Sequence, residues 1–452
     1  MRYIKYRMSI FDNQLPDSFA FRWLARRSTV QKSIDLLNYL EHSGYYWLTI
    51  IRGYPQEKEI ERKYYRIAAF ANTVGAILIA KTALTICLKD DYTRLLLGDI
   101  FIGSFSHGIQ NTVLMMVLTL VIGLRYFGFL TERLKKVVIL RKLHQLREKR
   151  FDCTTFMLTP RANSYMRLYF YLFGIFYKMT NAFVCTCVSG WLSYNYLSNP
   201  INHTSWLTSI TTGLWSILTA FVYAAGAFPT IWFYVHNTMI ITFAIFSLDS
   251  CHNYGQAMAN LNCKVTKKAI YKFLTQQNRI YNYIYQHTVD WGKLFFYGIL
   301  VVSGTGNFIL FAATFIGTGS DLLDYALLVL GFVTFNSISI MNVLAAFAAN
   351  KITLNRLCNY KIARRCKFNL RLSLKLLTTC ERLNLNKVGF NLGGICTLDS
   401  EHFLLYLMEN AGLMLMFITN FNKASSNQQL NVPNQIQRSD LNVTNQDTSI
   451  SW

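Results

Sequence analysis

The sequence predicts an all-α, polytopic membrane protein with seven transmembrane helices, its N-terminus in the cytosol and its C-terminus outside the cell. Three observations carry that prediction. The chain of 452 residues is 52% hydrophobic and only 15% charged, with a mean hydropathy of +0.23, which is too apolar for an ordinary soluble enzyme. Seven runs reach the roughly 20 apolar residues that a bilayer crossing needs, at 67–88, 102–124, 168–192, 206–234, 294–318, 322–349 and 403–421. The third observation is the placement of basic residues, because loops rich in Lys and Arg stay in the cytosol. With an inside N-terminus, 39 of the 45 basic residues fall in inside segments, four fall in outside segments, and Lys81 and Lys178 lie within spans.

The segments follow in chain order. Residues 1–66 form a cytosolic region that opens on Met1-Arg2-Tyr3 without the apolar core and cleavage site of a secretory signal. Within it, 36–51 is too short and polar for a span but carries Tyr45, Tyr46 and Trp47. Aromatics of this kind suit a helix lying on the inner leaflet or a re-entrant segment, and equally a packed cytosolic helix. Residues 67–349 hold the first six spans with cytosolic extensions. The stretch 206–248 has no Lys or Arg and could divide in two at Pro229. A second crossing there would push the ten basic residues of 351–387 outside, so the fourth span is expected to run on as one long helix that tolerates its proline.

After span four, Ile270, Phe273, Leu274, Ile280, Tyr281, Ile284 and Tyr285 recur at helical spacing, as expected for an amphipathic helix. Residues 350–402, with Leu354, Leu357, Ile362 and then Leu370 to Leu383, lead into the last span, 403–421. The remaining 422–452 are rich in Asn, Gln, Ser and Asp and are expected to be a disordered extracellular tail. The sequons at Asn202 and Asn442 both fall outside under this topology and are candidate glycosylation sites. Most of the 10 cysteines fall on the cytosolic side, so no disulfide framework is expected.

The segment 387–421 reads KVGFNLGGICTLDSEHFLLYLMENAGLMLMFITNF and resembles the closing segment of the insect gustatory receptors. In that family a small-residue turn and a phrase like Gly-Leu-Phe-Thr-Leu-Asp precede the last transmembrane helix, which closes on Thr-Tyr, a mostly apolar run and Gln-Phe. Here the phrase reads Gly394-Ile395-Cys396-Thr397-Leu398-Asp399; Leu413-Met414 stands in the place of Thr-Tyr, and Asn420-Phe421 in that of Gln-Phe. An inside N-terminus with seven spans is opposite to the G-protein-coupled arrangement and is that of the insect chemoreceptor channels. The resemblance implies a tetramer, of this chain or with related receptor subunits, whose cytosolic helical extensions form a central anchor. It also implies a pore lined by the last helix, with its constriction around Asn420 and Phe421, and a small-molecule pocket in the outer membrane among the first six helices. At that depth the candidates are His107, Asn181, Trp215, Asn307, Phe308, Phe311, Asp324 and Tyr325.

Ionisable groups inside spans are costly and are functional candidates by default. Glu409, Leu413, Met416 and Asn420 share one face of an ideal helix, so a fourfold assembly would place a carboxylate ring beside apolar rings that close a pore. The alternative for Glu409 is a bond to a neighbouring helix. Lys81 and Lys178 are expected to snorkel or to pair internally. The sequence lacks zinc-protease, P-loop and nucleophile-elbow motifs, so neither an enzyme nor a metal or cofactor site is expected. Its basic residues are dispersed, which argues against nucleic acid as a partner. The expected function is a ligand-gated, non-selective cation channel of the plasma membrane that answers a tastant. A secondary transporter and a non-conducting receptor-like scaffold stand as alternatives; the odd number of spans and the absence of matching halves disfavour the transporter.

Overall fold

A computed structural model of the chain describes residues 28–57, 61–103, 107–260, 266–317, 321–365, 369–384, 388–393 and 396–419. The candidates Asn420, Phe421 and Asn442, residues 1–27 and the polar tail lie outside the described residues. Seven helices are long and apolar enough to cross a membrane, and the chain is a polytopic, mostly helical membrane protein. Several of these helices extend well past the apolar runs, because amphipathic stretches continue the same hydrogen-bonded spirals.

Helix α1, Val30–Tyr46, is capped by the Thr29 side chain, which accepts from the Lys32 amide. Its Leu36, Leu37 and Leu40 are buried, and the Ser43 hydroxyl meets the Tyr177 hydroxyl at 2.5 Å. Within 36–51 the helix packs on the bundle. The reason lies in Trp232, fully buried at the centre of the bundle, whose indole donates to the Leu40 carbonyl at 2.8 Å and stacks on His236 at 3.5 Å. His236 in turn meets the Tyr54 hydroxyl at 2.7 Å.

Helix α2, Arg62–Cys87, is the first span, and the short α3, Asp91–Leu96, follows it. The second span, α4, begins at His107 and runs to Leu134, later than the apolar run starting at 102 suggests. Gly98 and Gly103 hold positive φ, so the backbone turns sharply there, and a Cβ on Gly98 would lie 2.4 Å from Trp215 Cβ. Helix α5, Leu140–Glu148, buries Leu140, Leu143 and Leu146 on one face, and α6, Cys153–Phe156, is a single turn capped by Asp152. Helix α7, Pro160–Ser198, begins with Thr159 as N-cap and Pro160 in the first turn, a favourable start. A 3₁₀ turn, Pro200–His203, leads into the next span.

Helix α8, Trp206–Asn260, is a single helix of 55 residues with Pro229 in its interior. A proline there removes the bond to the carbonyl four residues back and costs about 3 kcal/mol in an exposed helix. That carbonyl belongs to Ala225, and the Arg125 guanidinium from α4 donates to it at 2.9 Å. The buried arginine thus supplies the donor that the proline lacks, which accounts for both a cation inside the bundle and an unbroken helix.

Helix α9, Lys267–Phe311, continues as a π-helical turn, Ala312–Ile316; α10 spans Asp321–Arg365 and α11 Leu370–Asn384. A two-residue antiparallel ladder pairs β1, Asn391–Leu392, with β2, Cys396–Thr397, and the last span, α12, is Ser400–Thr419. This hairpin adds a strand pair that an all-α reading omits. Helix α8 is central, packed against α7, α10, α4 and α9. Bonds between polar side chains tie the helices together beyond the apolar core: His287 to Asn237 at 2.7 Å, Asn359 to Gln277 at 3.0 Å and Arg382 to Asn282 at 2.8 Å.

Candidate functional site

A cavity of about 150 Å³ lies among α4, α7, α8, α9 and α10. Aliphatic and aromatic side chains dominate its walls: Val117, Leu120, Val121 and Leu124 from α4, Phe176 and Val184 from α7, Ile231 and Phe233 from α8, Leu294, Phe295, Ile299, Val302 and Ile309 from α9, and Leu330, Val333, Ile338 and Met341 from α10. Most of its polar residues are already satisfied. Thr230, Thr334 and Ser337 each donate to a carbonyl one turn back in their own helix, and Asn237 is held by His287 and the Phe233 carbonyl. The hydroxyls of Thr180, Tyr223 and Thr305 also lie in the wall, and among the described residues they have no hydrogen-bond partner. The chamber therefore suits a neutral, mostly apolar molecule about the size of a single aromatic ring, with one or two groups for these hydroxyls. A sugar, with a hydroxyl on nearly every carbon, would leave most of its polar groups unpaired here.

None of the eight ligand-site candidates lines this cavity. His107 and Trp215 belong to another cluster. His107 Nε2 lies 2.9 Å from Asp99, the Asn111 amide reaches both Asp99 oxygens at 3.0 and 3.1 Å, and Lys81 donates to the Gly98 carbonyl at 3.1 Å while sitting 5.4 Å from the Trp215 ring centre. Asn181 donates to the Tyr177 carbonyl at 2.9 Å; Tyr325 is exposed, and the Asp324 carboxylate lies beside the turn at Gly317. Lys178, itself exposed, reaches over the Tyr39 ring at 4.2 Å, so both intraspan lysines find partners within the chain. Asn202 is fully buried with its amide nitrogen donating to the carbonyls of Ile100, Asn195 and Tyr196, an arrangement with no room for a glycan.

Asn307, Phe308 and Phe311 instead hold the last helix. Asn307 donates to Asn410 Oδ1 at 2.5 Å, Ser303 bonds the same oxygen, and Asn410 donates to the Tyr406 carbonyl at 2.6 Å. Phe308 and Phe311 pack on Phe417 with ring centres 6.1 and 5.4 Å apart. Helix α9 therefore has two working faces: Val302, Thr305 and Ile309 border the cavity, while Ser303, Asn307, Phe308 and Phe311 grip α12. The buried stripe of α12 runs through Tyr406 and Asn410, and Glu409, Leu413 and Met416 lie along the exposed flank beside it. Glu409 forms no hydrogen bond or ion pair among the described residues, so the alternative of a bond to a neighbouring helix of the same chain is not realised.

The approach to α12 is built by the phrase around Asp399. Its carboxylate accepts from the amides of Glu401 and His402, each at 3.0 Å, and from the His402 ring at 2.8 Å. Partial burial alone would raise the Asp399 pKa, but these bonds outweigh it and hold the carboxyl below its usual value. The Leu398 amide donates to the Phe390 carbonyl, and Gly393 to that of Gly292, so the hairpin docks on α9.

Sequence reasoning missed Thr180, Tyr223 and Thr305. The signal was present only as isolated hydroxyls within apolar spans, where serine and threonine usually bond their own helix.

The fold has a counterpart among solved structures. The insect olfactory receptor OR5 from Machilis hrabei is similar with a TM-score of 0.55 at 12% identity, over 86% of this chain and 98% of that one. The same receptor in complex with eugenol gives a TM-score of 0.51 at 12% identity, over 85% and 97% of the two chains. At this identity the likeness is one of fold. No protein-family model and no curated protein matches the chain.

Proposed function

We propose that this chain is a chemoreceptor of the gustatory type: a ligand-gated, non-selective cation channel of the plasma membrane, assembled as a tetramer of itself or with related subunits. The observation that carries the reading is the double duty of α9, one face of which walls an apolar chamber while the adjacent face grips the last helix through Asn307 and Asn410. A ligand that fits the chamber better when α9 is displaced shifts the population toward a state in which α12 has moved. The fold shared with an olfactory receptor, one solved with the small aromatic molecule eugenol, supports the same reading. So does the exposed face of α12, which in a fourfold assembly would line the axis with Glu409 at one mouth and Leu413 and Met416 closing it.

Substitution of a wall residue tests this directly. Val302→Trp adds a bicyclic ring to a chamber of about 150 Å³. In cells expressing the chain and screened with small neutral aromatics and terpenoids against sugars, the wild type is expected to conduct in response to the former. The tryptophan variant should reach the surface at normal density and lose that response. Responses confined to sugars, or retained in the variant, would refute the chamber as the ligand site.

A further inference from the structure

A second cavity, of about 450 Å³, opens between α5 and α9. Its walls carry three cationic side chains, Arg141, Lys142 and Arg279, and among the described residues no Asp or Glu lines it. The three are poorly neutralised. Arg279 is exposed and forms no hydrogen bond or ion pair among the described residues, and Arg141 donates to the Pro55 carbonyl at 3.2 Å. Lys142 has one long bond, 3.4 Å, to Gln145 Oε1, and otherwise lies against the rings of Phe156 and Phe243 at 4.9 and 5.5 Å. Burial, and after it the like charge of Arg279, hold the Lys142 pKa below its ordinary value, as crowded cations without a counter-ion do.

The surrounding neutral groups are donors. With Gln145 Oε1 accepting from Lys142 and Asn282 Oδ1 accepting from Arg382 at 2.8 Å, the amide nitrogens of both side chains remain for a ligand. The neighbouring Tyr283 hydroxyl is buried without a partner. The nearest carboxylates are committed elsewhere: Asp290 accepts from the Ile139 amide at 2.9 Å and from Gln286 at 2.8 Å, with Lys135 at 3.8 Å, and Asp152 accepts from Thr154 and Thr155.

From this geometry we infer that the pocket between α5 and α9 is a binding site for a polyphosphorylated polyol anion, held by Arg141, Lys142 and Arg279. Guanidinium and ammonium groups with nearby amide donors match the many acceptor oxygens of such a ligand, and the volume exceeds what one phosphate fills. On the orientation set by the basic loops, the pocket faces the cytosol near the inner leaflet, so the same chemistry is presented by a phosphoinositide headgroup and by a soluble inositol phosphate. The inference stands apart from gating, since binding is measured without a channel current.

The test uses the full chain in nanodiscs of neutral phosphatidylcholine, titrated with dioctanoyl phosphatidylinositol bisphosphate, with inositol trisphosphate and with uncharged inositol. Saturable binding of one or both phosphorylated probes, and none of inositol, is expected. Binding of the lipid alone assigns the source to the membrane, whereas equal binding of both shows that the phosphates suffice. Arg279→Gln should weaken binding by about tenfold, as expected for losing one charge-assisted contact to phosphate. It disturbs no hydrogen bond among the described residues, so the result is readable even where Arg141→Gln fails to fold. Lys149→Gln, which removes an exposed charge at the end of α5 outside the pocket, should leave the affinity within about twofold. Absence of binding by both phosphorylated probes, or equal losses in Arg279→Gln and Lys149→Gln, would overturn the site.

Discussion

At the scale of single residues, the Arg125 and Pro229 pair makes a coupling prediction. Arg125→Met leaves the Ala225 carbonyl without a donor inside the bundle, a loss of about 1–3 kcal/mol. Pro229→Ala returns the missing amide, so the same arginine substitution should cost markedly less in that background. Thermal unfolding of the four proteins in detergent closes the cycle; additive effects would mean that the guanidinium is not serving the proline. Glu409 makes a functional prediction, because it is exposed on a face its own chain does not cover. Glu409→Gln should lower single-channel cation conductance or divalent permeability while assembly persists, and Leu413→Ala or Met416→Ala should raise basal current. Unaltered permeation in the glutamine variant would return that face of α12 to a packing role. Residue type and depth in the membrane are legible in sequence, whereas which side of a helix faces a cavity depends on how its neighbours are rotated, and none of the eight ligand candidates lines the chamber.

The elements themselves were more legible than their contents. Apolar runs and the lone sequence of basic loops located seven spans, and the long uncharged stretch around Pro229 became one helix as its flanking charges required. The start of α4 differed because Gly98 and Gly103 hold turns that hydropathy ignores. Leu372, Leu376, Cys380 and Leu383 form the buried face of α11, leaving Leu370, Leu374 and Leu377 exposed. At the N-terminus of α12, Asp399 acts as the cap, so Asp399→Ala should destabilise the helix entry by about 1 kcal/mol, with Asp399→Asn milder because its amide oxygen still accepts. The folded Asp399 pKa is depressed, so its contribution is complete above the unfolded carboxylate value of about 3.9 and disappears as pH falls through the lower folded value. Melting curves of wild type and Asp399→Ala should therefore differ at neutral pH and converge under strong acid. A constant difference across that range would remove the carboxylate from the explanation.

For the whole molecule, orientation and assembly are the quantities to measure. Epitope tags at the two ends, stained with and without permeabilisation, should place the N-terminus inside and the C-terminus outside; an N-terminal tag labelled on intact cells would reverse the side assigned to the cavity between α5 and α9. Beyond the membrane-spanning core, α10 and α11 expose Leu354, Leu357, Tyr360, Leu370, Leu374 and Leu377, an apolar surface of the kind that partners cover. Fourfold assembly through this surface predicts a tetramer by native mass spectrometry of the purified protein. The combined change Leu370→Glu, Leu374→Glu and Leu377→Glu should release smaller species while the far-ultraviolet helical signal remains. A wild-type monomer would leave the exposed face of α12 to lipid and withdraw the central pore.

What the sequence determined by itself was the quantity that sums along the chain. Transfer of about 20 apolar residues into hydrocarbon is favourable wherever the run occurs, and a loop of lysines resists crossing whatever its neighbours are. Span number, the long fourth helix and the capping phrase before the last helix follow from such local terms. Which residues meet was decided only in three dimensions. Arg125 answers Pro229 from a hundred residues away, Asn307 finds Asn410, and three hydroxyls on three helices face one chamber. Each of these depends on the rotation and offset of packed helices, which are fixed jointly by all the side chains between them, so no single stretch of sequence contains the information.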